Sequence, residues 1–448
     1  MISDFIIINK KSNTPLYLQI FNDLRKAIEN GNLKENERIP SVRKLCADLE
    51  VSKTTVENAY NLLCVQGYIV NIPQKGYFVE KGLKLEKSDK KKTFLTDKKK
   101  VYKYDFSGKG IDIKCSNIKE WSKYVKDILN KEYLLNTYSE NQGEEELRDA
   151  ITKYAFTTRG VNAESKNIIV GSGSQTLIYI LCGILGLNKT VAIEKNTFPQ
   201  AEQVFKDFKY NIKYTESDKK GISIESLNEI KPDILLLNPN YNSLNGSVMP
   251  IKRKIEIINW AKENCCIIIE DDYNGELRYK THPTACMQSN GVEQTVYIGS
   301  FSKILLPSVR ISYMALPDML LEKYESIKEN YNQTTSKVEQ LALAEYIKNG
   351  RLEKHLRKSR RYYREKSEFM HSCVKKHFNS FVFNETGMYF ELNVNCKNVV
   401  KKCRQNDINV MNTSTDEVLK LNISQINSEL IESGIEHLAK VIKKACAE

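Results

Sequence analysis

The chain has no stretch near the roughly 18 uninterrupted apolar residues that a helical membrane span needs, so that class is excluded. Its start holds one short apolar run, Phe5 to Ile8, and no small-residue cleavage site. No signal peptide is expected, and a cytoplasmic location is. Eleven cysteines include no Cys-x-x-Cys pair, and the adjacent Cys265 and Cys266 lie inside an apolar run. Five scattered histidines complete no zinc spacing, so reduced thiols and no metal are expected. There is no internal repeat.

What is present is ordinary in bulk and uneven in detail. Apolar content of 41% and charged content of 28% suit a globular protein, and 448 residues suit two to four domains. The net charge is +12, yet residues 1–80 hold ten Lys/Arg against nine Asp/Glu. Residues 81–104 hold ten Lys against three acids, with few apolar residues and no periodicity. That composition cannot bury enough surface to order itself and predicts a linker. The expected domains are therefore 1–80, a linker over 81–104, and 105–448, the last split into 105–345 and a small C-terminal part, 346–448.

Residues 1–80 predict three helices and a hairpin. Leu16, Ile20, Leu24, Ala27 and Ile28 recur at helical spacing after Pro15, and Gly31 ends the run. Ser41 is placed to cap a second helix with Val42, Leu45 and Leu49 inward. Ser52 is placed to cap a third with Val56, Ala59, Tyr60 and Leu63 inward. Tyr68–Val70 and Tyr77–Val79 alternate like strands around a loop with Pro73 and Gly76. A helix-turn-helix enters the major groove with the start of its second helix, here Ser52, Lys53, Thr54 and Thr55. Arg38, Ser41 and Arg43 flank the preceding helix, where phosphate contacts fix docking. Lys75 lies at the wing tip. The partner expected is double-stranded DNA. The stretch "ERIPSVRKLCADLEVSKTTVENAYNLLCVQGYI…KGYFV" resembles the GntR family winged helix over about Pro15 to Val79. The resemblance implies that Arg38, Ser41, Arg43, Lys53, Thr54 and Thr55 face DNA, with Lys53 where Arg is common.

Residues 105–448 alternate short apolar runs with helical patterns. The runs are Asn167–Val170, Thr190–Ile193, Asp233–Leu237, Cys265–Ile269 and Thr295–Ile298; helices are expected between them, as at Gln175–Leu185 and Lys252–Glu263. Such alternation predicts an α/β domain with a mostly parallel sheet, which binds ligands beyond the carboxyl ends of its strands. Unusual residues cluster at those ends. Lys303 follows the run Thr295–Ile298, with Ser300, Ser302 and Arg310 as phosphate donors around it. Gly171-Ser172-Gly173-Ser174-Gln175 is a second anion cradle, where a strand gives way to a helix N-terminus. Asp271 is placed to pair with a pyridinium nitrogen, Tyr273 to reach a phenolic oxygen, and Phe198 to stack on a ring.

These segments resemble fold-type I aminotransferases, in the form fused to GntR winged helices: the MocR/GabR-type transcription regulators. The residues carrying it are "TYSENQGEEELRDAITKYAFTTRGV", "VGSGSQTLIYI", "IIEDDYNGELRY", "YIGSFSKILLPSVRISYMALP" and "LEKHLRKSRRYYREK". The resemblance implies pyridoxal 5'-phosphate (PLP) as cofactor, with Lys303 as its Schiff-base lysine. It places Asp271 and Tyr273 on the ring, and Ser174, Gln175, Ser300, Ser302 and Arg310 around the phosphate. Tyr138 matches a tyrosine that reaches a neighbouring subunit's phosphate, which implies a head-to-tail homodimer. Two departures stand out. Ser243-Leu244-Asn245-Gly246 replaces a Pro-Thr-Gly turn, with Ser243 in place of an Asn that contacts the ring oxygen. Lys420 stands where an Arg clamps the substrate carboxylate, and Lys is a poorer bidentate partner. The expectation is a regulator that senses an amine, an amino acid or PLP itself, with transaminase turnover as the alternative.

Overall fold

The computed structural model describes residues 2–9, 12, 14–80, 100–195, 198–240, 247–273, 275–279, 284–383, 388–394, 396, 398–411 and 418–447. Two compact units divide after Lys99.

In the first unit, helix Leu16–Glu29 buries Ile20, Phe21, Leu24, Ala27 and Ile28 and stops before Gly31, whose φ is 74°. The Ser41 hydroxyl accepts from the Lys44 amide at 3.2 Å and opens Val42–Leu49. Glu50, at φ 52°, turns the chain, and the Ser52 hydroxyl accepts from the Thr55 amide at 3.3 Å to open Lys53–Val65. Each cap satisfies an amide that has no partner within its helix. Tyr60 donates to the Pro40 carbonyl at 2.8 Å and ties the third helix to the start of the second. Leu45, Val56, Ala59, Tyr60 and Leu63 are fully buried between them. The wing pairs Ile69–Ile72 antiparallel with Gly76–Val79, so its first strand starts one residue later and runs two residues further than the alternation predicts.

The second unit is built on a seven-stranded sheet. Its order is Ile168–Gly171, Ser312–Ala315, Thr295–Ser300, Ile267–Asp271, Ile234–Leu237, Thr190–Glu194, Asn211–Thr215. Only Ser312–Ala315 runs against the rest, so the other six end at one edge. Alternate residues point to opposite faces. Ile193, Leu236 and Ile269 pack with Leu177 and Leu181 of helix Ser174–Leu185, whereas Ala192, Leu235 and Ile268 pack with Ile257 and Trp260 of helix Ile251–Glu263. Both faces are covered, which is why these strands are continuously apolar rather than alternating.

Three details differ from the expectations. Cys265 is exposed at φ 52° in a turn, and the strand runs Ile267–Asp271 instead, because its apolar run is preceded by a reversal. The strands Asn211–Thr215 and Ser312–Ala315 carry polar or aromatic residues and stood outside the five apolar runs. Tyr104, assigned by composition to the end of the linker, is buried and opens strand Tyr104–Phe106, which pairs with Ile408–Val410. Its partner strand lies some 300 positions away, which no local composition reveals. The C-terminal part holds the long helix Arg351–His377, a three-stranded antiparallel sheet and helix Ile431–Ala447. Among the described residues no helix is long and apolar enough to cross a membrane.

Candidate functional site

Gly171, Leu237, Asp271 and Ser300 end their strands at the shared edge, and a cavity of about 640 Å³ opens there. Its walls include Ser174, Gln175, Phe198, Asp271, Tyr273, Ser300, Ser302, Lys303 and Arg310. These nine residues singled out for a cofactor thus meet in one space, whereas Tyr138 and the cradle residues Gly171 and Ser172 are not among its walls.

The end of the cavity expected to take an anion is built from three separate chain segments. Gly173, at φ 126°, precedes helix Ser174–Leu185, and Gly173, Ser174 and Gln175 bring that helix N-terminus to the cavity wall. A Cβ on Gly173 would lie 2.5 Å from Arg310 Nη2, so the absent side chain makes room for the guanidinium. Arg310 Nη2 donates to the Ser172 carbonyl at 3.0 Å. Arg310 itself sits at φ 55°. Ser300 Oγ accepts from the Ser302 amide at 3.3 Å and the Ser312 hydroxyl at 3.0 Å.

Lys303 lies just past the strand end, half-buried. Its Nζ donates to the carbonyl of Gly110 at 2.8 Å and to that of Gly108. Burial pushes its ammonium down to about 8, so near-neutral pH supports a reactive amine fraction that a surface lysine lacks.

Asp271 and Asp272 are adjacent on extended chain and point to opposite sides. Asp271 faces the cavity, where burial, followed by the charge of Asp272, pushes its carboxyl up to about 7. Asp272 is buried behind it and accepts from Arg159 Nη2 at 2.9 Å and Nε at 2.5 Å, from the Tyr297 hydroxyl at 2.6 Å, and from Asn240 Nδ2. The pair is thus divided between a cavity-facing carboxyl and a structural anchor. Tyr273 and Phe198 line the same cavity, Phe198 just ahead of helix Pro199–Asp207.

Sequence reasoning missed Ser107, Gly108, Lys109, Asn238, Ser312 and Met411, which also line the cavity. Ser107 to Lys109 reach it from the start of the unit, in a segment without periodicity. Tyr138 lies apart, with its side chain wholly exposed. Lys420 is not among the cavity walls; its Nζ meets Glu391 at 2.8 Å across the register pair Glu391–Lys420. Ser243, Leu244, Asn245 and Gly246 lie outside the described residues.

In the first unit, Arg38, Ser41, Arg43, Lys53, Thr54 and Lys75 are exposed. Arg38 pairs with Phe78 of the wing, and its Nε lies 3.6 Å from where a Cβ on Gly76 would stand. Lys53 Nζ is 3.2 Å from Glu57. Thr55 is half-buried and its hydroxyl meets that of Ser52 at 2.7 Å, so it serves the helix start as well as any ligand.

A winged helix-turn-helix joined to an aminotransferase fold defines a DNA-binding transcription regulator of composite build. Residues 16–79 match the model of bacterial regulatory proteins of the gntR family, and residues 104–438 match aminotransferase class I and II. The chain belongs to the family of GntR-type transcription regulators that carry an aminotransferase-like domain. It is 31% identical to the HTH-type transcriptional regulator YdeL of Bacillus subtilis, covering 96% of this chain and 97% of that one. It is 24% identical to the probable rhizopine catabolism regulatory protein MocR of Rhizobium meliloti, over 86% and 82% of the two chains. It is 25% identical to the pyridoxine biosynthesis transcriptional regulator PdxR of Corynebacterium glutamicum, over 84% and 81%. Among solved structures, the kynurenine aminotransferase of Pyrococcus horikoshii superimposes with a TM-score of 0.68 at 22% identity, over 77% and 92% of the chains. Enzymes of this fold family depend on PLP.

Proposed function

We propose that this regulator binds PLP in the 640 Å³ cavity and changes its hold on DNA when an amine, an amino acid or PLP itself arrives there. One observation carries the reading. A lysine with a depressed ammonium, a carboxyl with a raised one and a guanidinium-lined helix N-terminus converge at the carboxyl edge of one sheet.

The residues fit the group. Arg310, Ser174, Gln175, Ser300 and Ser302 would hold its phosphate, and Asp271 would face its ring nitrogen. Tyr273 would approach its phenolic oxygen, Phe198 would cover a ring face, and Lys303 would meet its aldehyde. When bound, PLP supplies an aldehyde that condenses with primary amines and a ring that withdraws electrons. The chain's own part is to keep Lys303 partly neutral, to fix the phosphate end, and to hold Asp271 against that ring through the Asp272–Arg159 anchor. The exposed Tyr138 completes a partner's phosphate site in a head-to-tail homodimer. Arg38, Ser41, Arg43, Lys53, Thr54, Thr55 and Lys75 take the operator, in the cytoplasm.

Sensing is favoured over turnover by Lys420. Its ammonium is engaged by Glu391 at 2.8 Å and it does not line the cavity, so this position offers no carboxylate clamp there. A signal molecule shifts DNA affinity only through contacts that differ between two states of the protein. The test is absorption spectroscopy of the purified protein with PLP, beside Lys303→Ala. A visible band in the wild type that is absent from the variant supports the reading. No band in the wild type with excess PLP refutes the cofactor site. Sustained keto-acid production from amino donors replaces sensing with catalysis.

A further inference from the structure

The winged-helix unit is nearly neutral, with ten Lys/Arg and nine Asp/Glu in residues 1–80. Duplex binding draws its sequence-independent affinity from cations set against phosphates. Beyond the exposed Arg38, Arg43, Lys53 and Lys75 of that unit and the ten Lys of residues 81–104, further cations can come only from the rest of the chain. Residues 105–448 hold 48 Lys/Arg and 44 Asp/Glu, an excess of four. Residues 351–366 alone hold eight Lys/Arg and two Glu. This one stretch therefore outweighs the excess of its whole unit.

The stretch forms the first half of helix Arg351–His377. One side buries Leu352, Leu356, Ser359 and Tyr363; the other exposes Lys354, Arg357, Lys358 and Arg361. With Lys114 and Arg351 these four line a groove of about 640 Å³. Lys114 is matched by Glu429 at 3.3 Å, and Arg351 by Glu120 at 3.4 Å. Among the described residues no ion pair joins any of the other four, although Glu353 and Glu365 stand at i±4 from Arg357 and Arg361. Lys354 and Lys358, and Arg357 and Arg361, are like charges at i,i+4, which oppose the helix that carries them.

We propose that this groove is a second DNA-contact surface, taking the phosphates of duplex DNA in addition to those bound by the winged helix. The four cations follow one another along about 10 Å of helix axis. They form a row rather than a convergent pocket. A row suits a linear polyanion, whose phosphates succeed each other every 3.4 Å along one strand. Attachment to a DNA-binding unit raises the effective concentration of that surface at the duplex.

The test uses the full chain and a labelled random-sequence duplex of about 60 base pairs, titrated over a range of KCl concentrations. The variant Lys354→Gln/Arg357→Gln/Arg361→Gln removes three charges. Its plot of log affinity against log salt is expected to be shallower by about 2 to 3, with at least about tenfold weaker binding at low salt. The charge-keeping variant Lys354→Arg/Arg357→Lys/Arg361→Lys is expected to retain the wild-type slope. An unchanged slope in a Gln variant that melts like wild type overturns the proposal. Equal losses in both variants also overturn it, since packing rather than charge would then be at work. So does stabilisation of the wild type alone by inorganic pyrophosphate with no change in salt slope, which marks a small-anion site.

Discussion

Lys303 and Gly110 stand 193 positions apart in the chain, and the lysine Nζ donates to the glycine carbonyl at 2.8 Å. The start of the aminotransferase-like unit is thereby held against the Lys303 amine, which is how Ser107 to Lys109 become cavity walls. The same enclosure sets the titration of Lys303.

Desolvation disfavours the ammonium, so the neutral amine forms around pH 8 rather than near 10.5. The rate at which cofactor-free protein captures PLP is expected to climb as pH rises through about 8 and to level off above it. Stopped-flow absorbance between about pH 6 and 10 measures this. A flat profile contradicts the depressed lysine. The folded state also binds fewer protons than the unfolded chain between about 8 and 10.5, so this group's contribution to stability grows with pH across that window and is lost as pH falls through 8.

Gly173→Ala is expected to weaken PLP binding by about tenfold or more while leaving the sheet intact, the equivalent of one charge-assisted hydrogen bond. The added Cβ would sit 2.5 Å from Arg310 Nη2, at a φ of 126° that side chains rarely adopt. Equilibrium titration of the absorption band reads the loss. Equal affinity in the variant means that Arg310 does not hold the phosphate.

Arg159→Met acts on stability rather than on the ligand. The Arg159 and Asp272 side chains are 1% and 0% exposed, so the variant leaves a buried carboxylate without its cation. A cost of about 3–5 kcal/mol is expected, which urea unfolding of the full chain measures in the transition of the larger unit. A change below about 1 kcal/mol, the scale of exposed pairs, contradicts the anchoring role.

Arg43→Ala/Lys53→Ala is expected to abolish operator binding and to leave the PLP absorption band unchanged. Both side chains are exposed and neither packs in the core of the first unit. Ser52→Ala is expected instead to lower the stability of that unit by about 1 kcal/mol, because its hydroxyl caps the third helix. Undiminished DNA binding by the double variant refutes the assignment of the helix-turn-helix surface.

The sequence by itself determined both units and most of the cavity. Caps at Ser41 and Ser52, the helical spacing of Leu45, Val56, Tyr60 and Leu63, and five doubly buried apolar runs are local signals. Strand ends inherit their position from those runs, so Asp271, Ser300 and Lys303 could be placed from neighbours a few residues away. The tertiary structure alone decided what depends on distant segments meeting. It split Asp271 from Asp272 by giving the second to Arg159, 113 positions away. It brought Ser107 to Lys109 onto Lys303, drew Tyr104 out of the expected linker into a strand beside Ile408, and set Lys420 against Glu391. A period of two or 3.6 residues records which face of an element is buried. It carries no record of which distant element covers that face, and that pairing fixes the burial and charge each site residue experiences.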